Sequence, residues 1–347
     1  MENIEKQELF YSIITTTYNR AYILNKLFNS LLEQTYKNFE WVIGDDGSTD
    51  ETEKLVKSFK EKANFIIRYY KLPHRGKADT WKCIYDLSEG QYILSIDSDD
   101  ALYDRNSLGM MQEKILSLNP NDNFWGVCGS YVDQNGRVFP NLDFDYFDIT
   151  KDNFFELWAE GSPLLNNKWI HKKMKDGYKA YSHPEVKEFL PYYPEVVDFM
   201  RNVAESKDFK YRVFNVKLID YVLHGEDCVS LMQPSLMAWY EIIGMINLFY
   251  KHNLHKKYLS QIQNKLQALK NGLYKEKGFL ITLISLKNLS AKIDFLNLYI
   301  KPQNIIKQIL SIKNEYSNNK KYKVLTILGI KIKFKAAENH CARRERE

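Results

Sequence analysis

The chain lacks the signatures of several protein classes. Its four cysteines, Cys83, Cys128, Cys228 and Cys341, lie far apart and form no CxxC pair, which excludes zinc ribbons and dithiol redox centres. Spaced so, they read as reduced thiols of an intracellular protein. Glycine (15) and proline (9) are scarce among 347 residues, so long flexible linkers and collagen-like fibres are not expected. The longest apolar run, Phe279–Leu286 with its Thr and Ser, is too short to span a bilayer. Met1–Leu9 is polar and charged, unlike a signal peptide. GxGxxG, GxxxxGKS/T and GxSxG are all absent, so dinucleotide-fingerprint oxidoreductases, P-loop NTPases and nucleophile-elbow hydrolases lose their motifs. There is no internal repeat.

What is present fits a globular chain: 44% hydrophobic and 27% charged residues. Aromatic content is high at 14%, which suits a large core together with surfaces that stack on sugars or bases. The net charge of +5 hides an asymmetry. Leu231–Glu347 carries 21 basic and 7 acidic residues, a net of +14, so the rest of the chain is at −9. The basic part favours anionic lipid or nucleic acid. The acidic part is no nucleic-acid groove, and its carboxylate clusters point to metal instead.

Up to about Asp133 strands and helices alternate. Tyr11–Thr17, Phe39–Gly44, Phe65–Lys71, Tyr92–Ile96 and Phe124–Tyr131 read as short buried strands. Helical spacing appears at Leu24–Leu32, after the Thr49-Asp50 cap, over Lys77–Leu87 and over Arg105–Leu118. The fold class expected is α/β: a mainly parallel, doubly wound sheet with a mostly helical C-terminal appendage. Residues 1–230 form one domain, with halves at about 1–132 and about 133–230. Residues 140–225 are irregular, with a helical stretch near Glu195–Ser206. A basic helical region covers 231–335, although Tyr322–Phe334 alternates apolar residues with lysines. The polar end, 336–347, reads as a disordered or vector-derived tail.

Two acidic clusters fall where strands end, the place where doubly wound sheets bind ligands. In Asp97-Ser98-Asp99-Asp100, three carboxylates within four residues repel one another, and a divalent cation relieves that repulsion. All-oxygen ligands point to a hard ion, Mn²⁺ or Mg²⁺. An EF-hand does not fit, because Leu102 and Leu108 occupy its glycine and bidentate-glutamate positions. The plain alternative is a solvated, helix-capping turn. In Asp45-Asp46-Gly47-Ser48, a carboxylate can accept from a nucleobase imide N–H, whereas the plain alternative is an Asp-Gly turn. Arg75-Gly76-Lys77 offers cations to a diphosphate, or simply begins a helix.

The order Thr15-Thr16-Thr17-Tyr18-Asn19-Arg20, Gln34-Thr35-Tyr36, Asp45-Asp46-Gly47-Ser48-Thr49-Asp50, Gly76-Lys77 and Asp97-Ser98-Asp99-Asp100 resembles the inverting, GT-A-fold glycosyltransferases of family two. These are nucleotide-sugar-dependent enzymes of bacterial surface-polysaccharide synthesis. The resemblance is strong over residues 10–105 and fainter to about 231. It makes residues 1–230 a GT-A-like catalytic domain, with a donor half at about 1–132 and an acceptor half at about 133–230. It implies that Thr16 and Tyr18 line the nucleotide pocket and that Asp45, beside Asp46, binds the base. It makes Asp97 and Asp99 a DXD motif: Asp99 for direct metal contact, Asp97 for ribose or a water-mediated role, with Asp100 adjacent to both. Lys77 is assigned to the diphosphate. Pro73-His74-Arg75-Gly76 and Asp79-Thr80-Trp81 replace the usual Asn-Gly-Gly and Ala-Arg-Asn runs, and Trp81 is carried over only as a sugar-side contact.

Glu195, in Tyr193-Pro194-Glu195-Val196-Val197, resembles the general base of a subgroup, with Glu185 and Asp198 as runners-up. Pro194-Glu195 is also ordinary helix-start chemistry. His224 is a candidate for metal or diphosphate, or a structural histidine. The resemblance implies a hexosyltransferase taking a UDP-sugar donor and a glycan or lipid-linked acceptor by single displacement. Such an enzyme would be cytoplasmic, peripheral at the inner face of the plasma membrane. The competing reading is a degenerate transferase fold serving as a membrane- or glycan-binding scaffold. Oligomeric state is not legible.

Overall fold

Tyr11–Thr17 is apolar and β-branched with no turn former, and it forms the first strand, β1, of a ten-stranded mixed sheet in the computed structural model. The structure describes residues 8–165, 168–173, 203–221, the strands within 310–335 and a few isolated positions between 200 and 261. The chain divides into two compact units, Met1–Glu241 and Ile242–Glu347.

In the first unit, β2 (Phe39–Asp45) and β4 (Tyr92–Ser95) flank β1, and β3 (Ile66–Lys71) extends the sheet beyond β2, all parallel. The connections carry α1 (Leu24–Leu32), α2 (Thr52–Lys62) and α3 (Lys77–Leu87). The remaining elements are β5 (Ala101–Leu102), α4 (Ser107–Leu116), β6 (Gly126–Asp133), β7 (Val138–Phe139), β8 (Tyr146–Thr150), α5 (Lys151–Ala159), β9 (Lys168–Lys172) and β10 (Lys210–Tyr221). Along the sheet the order is β3-β2-β1-β4-β9-β6-β10-β5, with β7 on β6 and β8 on β10. Beyond β4 the sheet is mixed: β9 runs antiparallel between β4 and β6, whereas β6 and β10 are parallel.

Helices cover both faces, as a doubly wound sheet requires. On one face Leu24, Leu27, Phe28 and Leu31 of α1 are buried, and Phe28 stacks on Phe59 of α2 with ring centroids 4.1 Å apart. On the other, Trp81, Ile84 and Tyr85 of α3 pack on Ile14, Val42 and Ile93. That approach is close because position 44 is glycine. A Cβ there would sit 2.7 Å from Thr80 Cγ2 and 2.8 Å from Ile84 Cγ2. The glycine thus sets the position of the helix whose first residue is Lys77.

In the second unit, β11 (Leu310–Ser317), β12 (Lys320–Ile327) and β13 (Ile330–Lys335) form an antiparallel meander. This part of the region read as helical is β, in keeping with the alternation of Tyr322–Phe334; its other segments lie outside the described residues. Among the described residues no helix is long and apolar enough to cross a membrane.

Candidate active site

The carboxyl ends of β1, β2 and β4 lie side by side, so the turns that leave them share one edge. The turn after β1 is held by Asn19, whose φ of 52° is the left-handed conformation that asparagine tolerates. Its backbone N–H donates to Ser48 Oγ at 2.9 Å, and its Oδ1 accepts from Thr49 N–H at 2.8 Å. The Thr-Tyr-Asn-Arg and Asp-Asp-Gly-Ser turns are thereby laced together.

Asp45 and Asp46 have separate duties. Asp45 is fully buried and accepts from Ser48 N–H at 2.7 Å and from the Tyr69 hydroxyl. Asp46, also buried, accepts from Arg75 N–H at 2.8 Å, Gly76 N–H at 3.0 Å and Thr80 Oγ1 at 2.9 Å. It therefore fixes the loop that leads into α3, where Gly76 has a φ of 96°. His74 Nδ1 lies 2.8 Å from an Asp46 carboxylate oxygen, and its ring stacks on Tyr18 at 4.4 Å. Tyr18 is 43% exposed, so this pair offers a flat aromatic surface beside the buried Asp45. Thr16 is half-buried one strand over, in register with Gly44. Trp81 is buried, stacks on Tyr85 and donates from Nε1 to Ser95 Oγ at 3.1 Å, so it serves packing.

The Asp97–Asp100 turn follows β4, and cations meet each of its outer carboxylates. Lys77 Nζ lies 2.9 Å from Asp97 Oδ1, and Arg20 Nη1 lies 2.8 Å from Asp99 Oδ2. Lys77 holds the Asp97 carboxyl well below the usual carboxylate range, against the opposing effect of burial. Asp97 is hemmed in by protein yet keeps 43% of its side chain open to solvent. Asp100 differs. It is 2% exposed, and burial pushes its carboxyl up to about 7, with Asp97 and Asp99 adding to the rise and Lys168 opposing it. Lys168 opens β9 and is 8% exposed; burial lowers its pKa, but Tyr131, Asp97 and Asp100 together raise it above the ordinary value.

Sequence reasoning did not single out Lys168, because Lys168–Lys172 (Lys-Trp-Ile-His-Lys) has too little apolar content to read as a strand. It also left Arg20 and Tyr69 without roles. The structure brings Thr16, Tyr18, Asp45, Asp46, Lys77, Asp97 and Asp99 to one edge. Glu185, Glu195, Asp198 and His224 lie outside the described residues.

The donor set fits a hard divalent cation in a specific way. Asp97 and Asp99 each already hold a cationic side chain, so each can hold a metal ion by exchange. Among the described residues no group of three candidate ligands gathers, so water and ligand phosphate would complete the shell.

Residues 12–178 match glycosyl transferase family 2. The chain is 25% identical over 251 residues to the glycosyltransferase GlyA of Streptococcus pneumoniae serotype 4, which covers 72% of this chain and 31% of that protein. It is 31% identical over 116 residues to a PGL/p-HBAD biosynthesis glycosyltransferase of Mycobacterium tuberculosis, covering 33% of this chain and 45% of that protein. The chain therefore spans less than half the length of these two relatives. Among solved structures, S. aureus TarS 1-349 aligns with a TM-score of 0.51 and 19% identity over 83% of this chain and 78% of TarS. The same protein in complex with UDP-GlcNAc gives 0.51 and 16% identity over 95% of this chain and 100% of that one. At such identities the likeness establishes the fold. Residues 12–178, just under half of the chain, thus match glycosyl transferase family 2, and the sheet has a GT-A-like fold.

Proposed function

We propose that this enzyme moves a hexose from a nucleoside-diphosphate donor, UDP-linked, to a glycan or lipid-linked glycan of the bacterial surface, O-antigen or capsule. The observation that carries the reading is the joint placement of Tyr18 and Asp45 beside the Asp97–Asp100 turn with its two paired cations, Lys77 and Arg20. TarS, with a similar fold, has been crystallised with UDP-GlcNAc, which supports a uridine donor.

In this reading the base stacks on Tyr18 and donates its imide N–H toward Asp45. Asp97 and Asp99 would hold Mn²⁺ or Mg²⁺, with His224 as a further ligand, and a bound ion would neutralise the departing diphosphate. Lys77 and Arg20 supply further positive charge to the phosphates. The acceptor hydroxyl oxygen attacks the anomeric carbon as the bond to the diphosphate oxygen breaks, and the diphosphate leaves with that electron pair. Glu195 takes the hydroxyl proton. One displacement inverts the anomeric configuration, with no carboxylate nucleophile.

The enzyme would work at the cytoplasmic face of the plasma membrane, held by its basic C-terminal region, where lipid-linked acceptors lie. A screen of nucleotide sugars for Mn²⁺-dependent thermal stabilisation and hydrolysis tests the reading. A UDP-sugar should stabilise the chain and release UDP. If no nucleotide or nucleotide sugar shifts the melting temperature with Mn²⁺ present, the reading is wrong.

A further inference from the structure

Lys168 is a largely buried residue whose side chain makes no ion pair or hydrogen bond among the described residues. It is 8% exposed; its ammonium lies 5.8 Å from the Tyr131 ring centroid, and Asp97 and Asp100 act on it through space. Burying an ammonium without a hydrogen-bonded counter-charge is costly, so such groups are normally paired. The carboxylates of the Asp97–Asp100 turn do not supply that pairing. Asp97 is taken by Lys77, Asp99 by Arg20, and Asp100 lies close enough only for through-space attraction.

The sheet shows where this ammonium stands. Strand β9 is antiparallel to β4 with Leu94 opposite Ile170. Continuing that register sets Lys168 opposite Ile96, one residue before Asp97. Across the sheet the order β2-β1-β4-β9 places the buried Asp45 at one end, the Asp97–Asp100 turn after β4, and Lys168 one strand further on. Three strand spacings separate β2 from β9, about 14 Å. That span suits a nucleoside diphosphate laid across the strand ends with its base at β1–β2 and its terminal phosphate beyond β4.

Charge points the same way. Around the turn, Arg20, Lys77 and Lys168 offset Asp97, Asp99 and the partly neutral Asp100, so the cluster is not net negative, and a divalent cation there would add positive charge that suits an anionic ligand.

We infer that Lys168 is a binding residue for the terminal phosphate of the nucleoside diphosphate, reaching it from the β9 side of the Asp97–Asp100 turn, opposite Lys77. The inference rests on the nucleotide-sugar reading above and assigns a residue that neither the motifs nor the family match mark. Lys168 holds the phosphate that leaves with the electron pair of the broken anomeric C–O bond, and it transfers no proton.

The test is calorimetric titration of the full chain, with Mn²⁺, by UDP, GDP and UMP, in the wild type and in Lys168→Met, Lys168→Gln and Lys168→Arg, alongside thermal melts. Methionine keeps the apolar stem and removes an unpartnered charge. Lys168→Met should therefore melt at or above the wild-type temperature, while its diphosphate affinity falls about tenfold or more. UMP affinity should change by less than about twofold, and Lys168→Arg should recover most of the loss.

Equal UDP affinity in wild type and Lys168→Met overturns the assignment. So does an equal loss for UMP and UDP, or a melting temperature that drops sharply in both the Met and Gln variants, since Lys168 would then be a structural cation. A wild type that binds none of the three nucleotides refutes the underlying nucleotide-sugar reading, an outcome distinct from any of these.

Discussion

Arg20 on the turn after β1 and Asp99 on the turn after β4 are joined at 2.8 Å, so two loops distant in sequence are tied by a single charge pair at the ligand edge. Both side chains are about one-fifth exposed, partly screened from water. The carboxylate is thus held ready for a cation.

Asp99→Asn keeps the shape and removes the charge. Metal-dependent nucleotide binding should be largely lost, and turnover should fall by roughly 10² or more, the scale of one lost electrostatic contact in a transition state. Mn²⁺-dependent titration with UDP, and assays in excess EDTA, provide the check. Full activity in EDTA would remove the metal from the proposed chemistry.

Glu195→Gln should separate chemistry from binding. Glutamine cannot take the acceptor proton, so turnover should drop by roughly 10²–10⁴ while donor affinity stays near wild type. Steady-state kinetics paired with direct binding would show this. Activity within about threefold of wild type moves the role to Glu185 or Asp198.

His171 makes stability pH-dependent. It is half-buried on β9, shares a 2.6 Å hydrogen bond with the Tyr211 hydroxyl, and is pushed down to about 4 by desolvation, with Lys168 adding to the shift. The unfolded chain binds the proton more tightly. Stability is therefore intact above the ordinary histidine value near 6.5 and is lost as pH falls toward 4. The loss should approach about 3 kcal/mol from this group alone. Urea midpoints at pH 7 and pH 4.5 measure it, and His171→Gln should flatten the difference. An unchanged slope in that variant would assign acid lability elsewhere.

Gly44→Ala should loosen α3. The new methyl has nowhere to go against Thr80 and Ile84, so destabilisation of about 1–3 kcal/mol is expected. Because Thr80 donates to Asp46, nucleotide affinity should weaken with it. Chemical denaturation and UDP titration on the same variant would show whether both move together.

The C-terminal meander gives the membrane proposal a sharper form. Its register places positions Lys313, Lys320, Lys331, Lys333 and Lys335 on one face, and Lys321 and Lys323 on the other with Leu325, Ile327, Ile330, Ile332 and Phe334. Each lysine at an anionic surface contributes roughly 1 kcal/mol. Replacing the five lysines of the first face with glutamine should abolish sedimentation with anionic liposomes at low salt, whereas Lys321→Gln with Lys323→Gln should have a smaller effect. Equal binding by the five-lysine variant and the wild type would count against a membrane role.

The parallel half of the fold was readable because pattern and position agree there. β1 and α3 run over the expected residues, Tyr11–Thr17 and Lys77–Leu87, since apolar periodicity and punctuating residues coincide. The two acidic clusters were legible as a site because both fall at strand ends. The mixed half was not. In β10 the pairing with β6 shifts between Val213 and Lys217 and again before Ile219, so buried positions pass from Tyr211 and Val213 to Phe214, Val216 and Leu218. An irregular register of that kind erases the two-residue period on which a strand is recognised. Lys168 stayed hidden for a related reason: a charged residue at the start of a short polar stretch gives no sign that the sheet will bury it.

Asp46 holds Arg75 and Gly76 through their backbone amides, not their side chains. Position 75 can therefore change its chemistry while the loop keeps its shape, as long as position 76 remains glycine. A lineage of such enzymes could drift in donor preference at position 75 without first losing the scaffold, and a laboratory seeking altered donors would randomise that residue before any other in the loop.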